Sequence, residues 1–156
     1  MKPIDEITSD VIGIAMRLHR DLGPGLFESV YETVLAGKLN GLGYKVDRQL
    51  PVDIEFEGQC FSAAFKIDLL IDDRLIVEIK SVDQPNASHA KQLLTYLRLM
   101  KLPVGLVINF GGSSLKEGVR RVVNGHTEPA PSALSAPLRE PIAEPDQFPE
   151  TGRSNP

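Results

Sequence analysis

Between positions 66 and 80 the chain reads KIDLLIDDRLIVEIK. Leu, Ile and Val alternate with other residues on both sides of the DDR triplet, the pattern of two short strands joined by a tight turn. Three ionisable residues interrupt the apolar pattern: Asp68 on the first arm, Glu78 and Lys80 on the second. Glu78 and Lys80 are two apart and therefore point to the same side of a strand. The turn decides whether Asp68 joins them. A three-residue loop over 72–74 pairs Ile71 with Leu75 and sets Asp68 across from Glu78, on one face. A two-residue loop at Asp72 and Asp73 pairs Asp68 with Val77 and separates the carboxylates. Three-residue loops need a left-handed residue, which Asp73 tolerates better than most non-glycine residues, so the three-residue register is expected.

Charges among aliphatic neighbours require partners or a metal. One reading is an ion pair of Lys80 with Asp68 or Glu78 on a solvent-facing sheet surface. The other is a hard-cation site, in which two carboxylates hold Mg²⁺ while water completes the octahedron. Lys80 then orients or deprotonates a water, or neutralises a phosphoryl oxygen.

The rest of the chain supplies the frame. Its 156 residues are enough for one domain, and 42% hydrophobic with 24% charged residues is ordinary for a soluble globular protein. The net charge of −4 offers no global attraction to nucleic acid. From Asn124 onward there are five acids (Glu128, Glu140, Glu144, Asp146, Glu150) against two bases (Arg139, Arg153), so much of this acidity lies near the C-terminus. Cys60 is alone, which excludes an intrachain disulfide and suits a reducing cytoplasm. No charged-then-apolar leader opens the chain, and no apolar run approaches a membrane span.

Helical spacing of Ile4, Ile7, Val11, Ile14 and Leu18 predicts a helix over 4–20, with acids early and arginines late. GPG at 23–25 leads into a second helix over 26–42, with Phe27, Val30, Tyr31, Val34 and Leu39 as its apolar stripe. Glu28 and Tyr31 sit on neighbouring turns of one side; a glutamate so early in a helix also suits the helix dipole without any further role. Val52, Ile54 and Phe56 alternate with Asp53, Glu55 and Glu57 as in a half-exposed edge strand. A turn at Gly58 and Gln59 leads to a strand over 60–71 and then the hairpin. Pro85 and Asn86 open a helix to about 100, buried through Ala90, Leu93, Leu94 and Leu97; His89, Gln92 and Tyr96 form a second stripe on it. VGLVINF over 104–110 reads as a strand buried on both faces. The element over 115–123 has no assignable type. From Asn124 onward the composition, rich in Pro, Ala, Ser and Glu, predicts a disordered tail. The expected organisation is one domain over 1–123, a tail over 124–156, and an α/β sandwich of about four strands in a mixed sheet.

This order of elements, with D…E-x-K on the central hairpin, resembles the PD-(D/E)XK nuclease superfamily, whose core is restriction-endonuclease-like. More narrowly, the chain resembles the GxxExxY protein family through GLFESVY with Gly25, Glu28 and Tyr31, through IDLLIDDRLIVEIK, through His89 with QLLTYLR, and through GLVINFG with LKEGVRRVV. The resemblance covers about 4–123. It implies that Asp68, Glu78 and the main-chain carbonyl of Ile79 are metal ligands, with Mg²⁺ as the ion and Mn²⁺ as a substitute. It implies that Lys80 positions the attacking water and that Glu28 is a further acid brought to the metal. Gln92 and Tyr96 match a Q-x-x-x-Y pattern that implies contact with the substrate strand. Ile67 stands where the name-giving proline would be, a position that provides no ligand. His89 contacts phosphate, caps its own helix, or does neither.

Two functions of different classes follow. One is a Mg²⁺-dependent hydrolase cleaving phosphodiester bonds in nucleic acid, with DNA favoured over RNA; Lys80 then acts as general base or electrostatically. The other is a non-catalytic accessory protein that keeps the fold and binds nucleic acid or protein. Neither needs a membrane, and both allow a homo-oligomer.

Overall fold

A computed structural model describes residues 1–125. Helix α1 spans Ile4–Leu22 and α2 spans Glu28–Gly41. Strands β1 (Val46–Phe56), β2 (Gln59–Ile71) and β3 (Leu75–Lys80) form a meander. Helix α3 (Ala87–Met100) crosses to β4 (Val104–Asn109), which the one-turn helix α4 (Leu115–Gly118) connects to β5 (Val119–Val123).

The five strands lie in sequence order, all antiparallel to their neighbours except β3 and β4, which run parallel. The sheet is therefore mixed and flanked by helices, as expected, but it has five strands rather than four. The residues of unassigned type over 115–123 divide into α4 and β5. Val119–Val123 pairs with β4 and exposes Arg120 and Arg121, charges that discourage further pairing at this edge.

Two apolar layers sandwich the sheet. On one side Ile7, Val11, Ile14 and Leu18 of α1 and Tyr31, Leu35 and Leu39 of α2 pack on Leu69, Ile71, Val77, Ile79 and Ile108. On the other, Leu93 and Leu97 of α3 pack on Ile67, Leu70, Ile76 and Val107. Gly105 permits this second contact, because a Cβ there would lie 2.9 Å from the Leu93 side chain. β4 is buried along its whole length, which accounts for its unbroken apolar run.

The buried side of α2 differs from the predicted stripe. The helix starts at Glu28, with Phe27 as its N-cap residue, and buries Tyr31, Glu32, Leu35, Ala36 and Leu39. Phe27 is 84% exposed and Val30 37% exposed. A helix begun two residues earlier would have carried Phe27 inward; instead Gly25, at φ +84°, turns the chain before the helix begins.

At the outer edge, β1 and β2 are irregular. Val52 pairs with Phe65 but Ile54 pairs with Phe61, so β2 carries extra residues around Ala63, whose N–H donates to Asp53 Oδ1 at 2.7 Å. The strict alternation expected over Val52, Ile54 and Phe56 ends there: Phe56 is exposed. At the other end, Asn124 does not begin a detached tail. It is buried, its N–H donates to the Pro103 carbonyl, and its side-chain amide donates to the carbonyls of Leu97 and Leu102. The rest of the expected tail, 126–156, lies outside the described residues.

Candidate active site

The hairpin adopts the three-residue loop. Ile71 pairs with Leu75, Leu70 with Ile76 and Leu69 with Val77. Both Asp72 and Asp73 take positive φ, at +50° and +55°, where one left-handed residue was expected. Asp72 offsets this by accepting the Lys45 N–H through Oδ1 at 2.8 Å, and Asp73 pairs with the Lys45 ammonium.

Beyond Leu69 and Val77 the ladder between β2 and β3 stops, and the next opposed residues are Asp68 and Glu78. Their carboxylates take over the backbone donors at this fork. Asp68 N–H donates to Glu78 Oε1 at 3.3 Å, and Ile79 N–H donates to Asp68 Oδ2 at 2.8 Å. Lys80 follows two residues after Glu78, half-buried at the end of β3.

Glu78 is only 6% exposed. Burial, reinforced by the charge of Asp68, pushes its carboxyl up to about 8, and the nearby Lys80 ammonium offsets this only in part. Tyr96 of α3 feels the same charges: its phenol is raised by burial first and then by Glu78 and Asp68. Its ring stacks on Phe65 at 4.1 Å. The imidazole of His89, two turns closer to the helix start, is lowered by burial and by Lys80, an effect that Glu28 offsets only in part. Both leading effects favour the neutral imidazole. The N-terminus of α3 is capped by Asn86, which accepts the Ser88 N–H at 2.9 Å, so His89 does not serve as the side-chain cap. Gln92 is exposed on the same helix.

Glu28, at the start of α2, forms no three-acid cluster with Asp68 and Glu78; its carboxylate accepts the Ser81 N–H at 3.3 Å. Ser81 also donates its hydroxyl to the Leu26 carbonyl at 2.6 Å, so the residue after Lys80 is fastened to the start of α2 at two points. Tyr31 braces the same loop from within: its hydroxyl donates to the Gly23 carbonyl and accepts the Leu26 N–H, while its ring stacks on Phe110. Tyr31 thus builds the loop that presents Glu28.

Among the described residues, no three His, Cys, Asp or Glu side chains converge closely enough to hold a metal ion. The carboxylates of Asp68 and Glu78 are nevertheless a hard-oxygen pair of the kind that takes Mg²⁺ with water in the remaining positions. Burial and the neighbouring Asp68 carboxylate penalise the ionised form of Glu78, a penalty that a divalent cation would offset. The donor set fits such an ion.

Sequence reasoning missed Glu32 and Gln49. Glu32 is buried in α2 and accepts from Arg48 Nε at 3.2 Å and from Gln49 Nε2 at 2.7 Å. The same Gln49 nitrogen donates to Asp68 Oδ1 at 3.2 Å. The available signal was the spacing of Glu28 and Glu32, four apart and so on one side of the helix. Nothing local pointed to Gln49.

A mixed sheet between helices, with two apposed carboxylates and a lysine at a strand fork, defines a nuclease-like α/β fold. The family model of the PD-(D/E)XK nuclease superfamily matches residues 5–122. The chain belongs to that superfamily, whose nucleases are generally divalent-metal dependent and act on nucleic acid. The crystal structure of SSO0001 is similar in fold, with 16% sequence identity, coverage of 73% of this chain and 64% of that one, and a TM-score of 0.47. No match was found among curated proteins.

Proposed function

We propose that the protein is a Mg²⁺-dependent nuclease of the GxxExxY family that hydrolyses phosphodiester bonds in DNA. The observation that carries this reading is the apposition of Asp68 and Glu78 at the β2–β3 fork, with Lys80 two residues further along the same strand. In this reading Asp68, Glu78 and the Ile79 carbonyl hold the ion, Mn²⁺ being able to replace Mg²⁺. When bound, the ion supplies charge neutralisation on the phosphoryl oxygens and at the leaving oxygen.

The chain's own groups do the rest. Lys80 orients the attacking water and stabilises negative charge on the scissile phosphate. Neutral His89 hydrogen-bonds a phosphate oxygen as a donor. Tyr96, held by its stack on Phe65, and Gln92 contact the substrate strand. Glu28 assists from α2 once substrate displaces its bond to Ser81. The lone Cys60 suits work in a reducing cytoplasm.

The test is digestion of single-stranded, duplex and branched DNA, and of RNA, with and without Mg²⁺, beside a Lys80→Ala control. Metal-dependent cleavage that vanishes in the control supports the reading. Binding of nucleic acid without cleavage by either protein would instead identify a non-catalytic accessory protein.

A further inference from the structure

The rung between Gln49 and Asp68 is missing from an otherwise regular run of pairs. Arg48 pairs with Leu69 and Leu50 with Ile67, while Gln49 takes a left-handed φ of +48°. A glutamine has no intrinsic reason to adopt that conformation, and such strain persists only where the surroundings impose it. What accompanies it is a bridge between two carboxylates. Gln49 Nε2 donates to Glu32 Oε2 at 2.7 Å and to Asp68 Oδ1 at 3.2 Å. Only the amide nitrogen, with two N–H groups, can serve two acceptors in this way, so the orientation of the amide is determined. Glu32 is itself immobilised: its side chain is 6% exposed, and Arg48 donates to its other oxygen at 3.2 Å while also donating to Thr33 Oγ1 at 2.8 Å.

Asp68 is therefore held at both oxygens, by Gln49 at Oδ1 and by the Ile79 N–H at Oδ2. A neutral amide is suited to this position. A lysine or arginine there would compete with a cation for the carboxylate, whereas an amide orients it and leaves its charge available.

We infer that Gln49, anchored by Glu32, is a positioning residue that orients the Asp68 carboxylate for a divalent cation. The inference rests on the metal-site reading proposed above. The strained backbone offers a way to separate positioning from mere stability. Gln49→Gly removes the amide but suits a φ of +48°, so the folded state is not penalised by backbone conformation.

The experiment is calorimetric titration of the full chain with Mn²⁺ alone, together with thermal unfolding in EDTA. Wild type, Asp68→Asn, Gln49→Gly and Gln49→Leu are compared, along with Glu32→Leu in the wild-type and Gln49→Gly backgrounds. Loss of an outer hydrogen bond of this kind weakens metal affinity by roughly 10–100-fold. Both Gln49 variants are expected to show that loss, with Gln49→Gly unfolding in EDTA within a few degrees of wild type. Glu32→Leu is expected to weaken Mn²⁺ binding in the wild-type background and to add nothing in the Gln49→Gly background, because it acts through Gln49. Should Glu32→Leu fail to fold, Glu32→Gln takes its place in the cycle.

Wild-type affinity in both Gln49 variants, with binding lost in Asp68→Asn, would overturn the inference and leave the metal site standing. A Glu32 effect that persists in the Gln49→Gly background, or is absent from both, would overturn the anchoring role. No Mn²⁺ binding by wild type would remove the metal-site reading and the inference together.

Discussion

The main-chain N–H of Asp68 donates to the carboxylate of Glu78 at 3.3 Å, at the point where β2 and β3 part. A pair of acids thus replaces the next rung of a ladder, and the strand ends are held by the side chains that would otherwise repel each other. This relationship makes the site sensitive to charge, to pH and to the groups that brace it.

Metal binding and Lys80 chemistry should separate by mutation. Asp68→Asn removes a charge that the cation needs, so Mg²⁺ affinity and cleavage fall together. Lys80→Ala abolishes turnover while affinity holds or rises, since a positive neighbour has gone. Thermal unfolding with and without millimolar Mg²⁺ provides the control: Lys80→Ala without metal is less stable than wild type, and Mg²⁺ restores it. If neither protein responds to the metal, Asp68 and Glu78 hold the sheet together and nothing more.

The pH dependence follows from Glu78. Its carboxyl is raised from 4.5 to about 8 in the folded, cation-free protein. Below 4.5 both folded and unfolded states carry the proton, and the protonated group's contribution to stability is fully present. As pH rises toward 8 the unfolded chain releases the proton while the folded chain retains it, so stability declines, by at most about 1.4 kcal/mol per pH unit. Urea unfolding in EDTA at several pH values should show this decline, and Glu78→Gln should flatten it. Mg²⁺ affinity should rise across the same interval, because the ion displaces the proton.

Tyr31→Phe keeps the stack on Phe110 but deletes the hydroxyl that joins Gly23 and Leu26. The expected loss is about 1–2 kcal/mol, a Tm lower by roughly 3–6 °C. Amide exchange at Leu26 should accelerate with it, because the loop leading to Glu28 loses its internal brace. An unchanged Leu26 amide would show that Ser81 alone holds this loop.

Asn124 sets where the chain can be shortened. Its main-chain and side-chain donors reach three carbonyls at the end of α3 and the start of β4. Asn124→Ala should cost about 1–3 kcal/mol, and a chain ending at Val123 should unfold at a lower temperature than one ending at Gly125. We propose that 126–156, whose composition provides little apolar surface to bury, is dispensable for folding. A Tm many degrees lower for the chain ending at Gly125 than for the full chain would contradict this.

Much of the architecture was legible because its causes are local. Helical spacing placed α1 and α3, and the continuous apolar run identified β4 as buried. The odd loop between Ile71 and Leu75 set the register as far as Leu69 and Val77, just beyond which Asp68 and Glu78 lie, since a strand's two-residue period carries register away from the turn. Whatever depended on a distant partner was not legible. VRRVV has no strong period of its own and becomes a strand only because the edge of β4 is open to it. Phe27 sits outside the helix stripe because Gly25, Tyr31 and Ser81 shape the preceding loop together.

The sequence by itself determined the register of the central hairpin, and with it the position of Asp68 and Glu78 just beyond its last rung, near Lys80. The tertiary structure alone decided what holds them. Gln49 lies 19 positions from Asp68 and 17 from Glu32, and Glu28 lies 53 from Ser81. Periodicity and turn chemistry act over a few residues, whereas hydrogen bonds across such separations arise only when packing of the apolar layers brings the elements together.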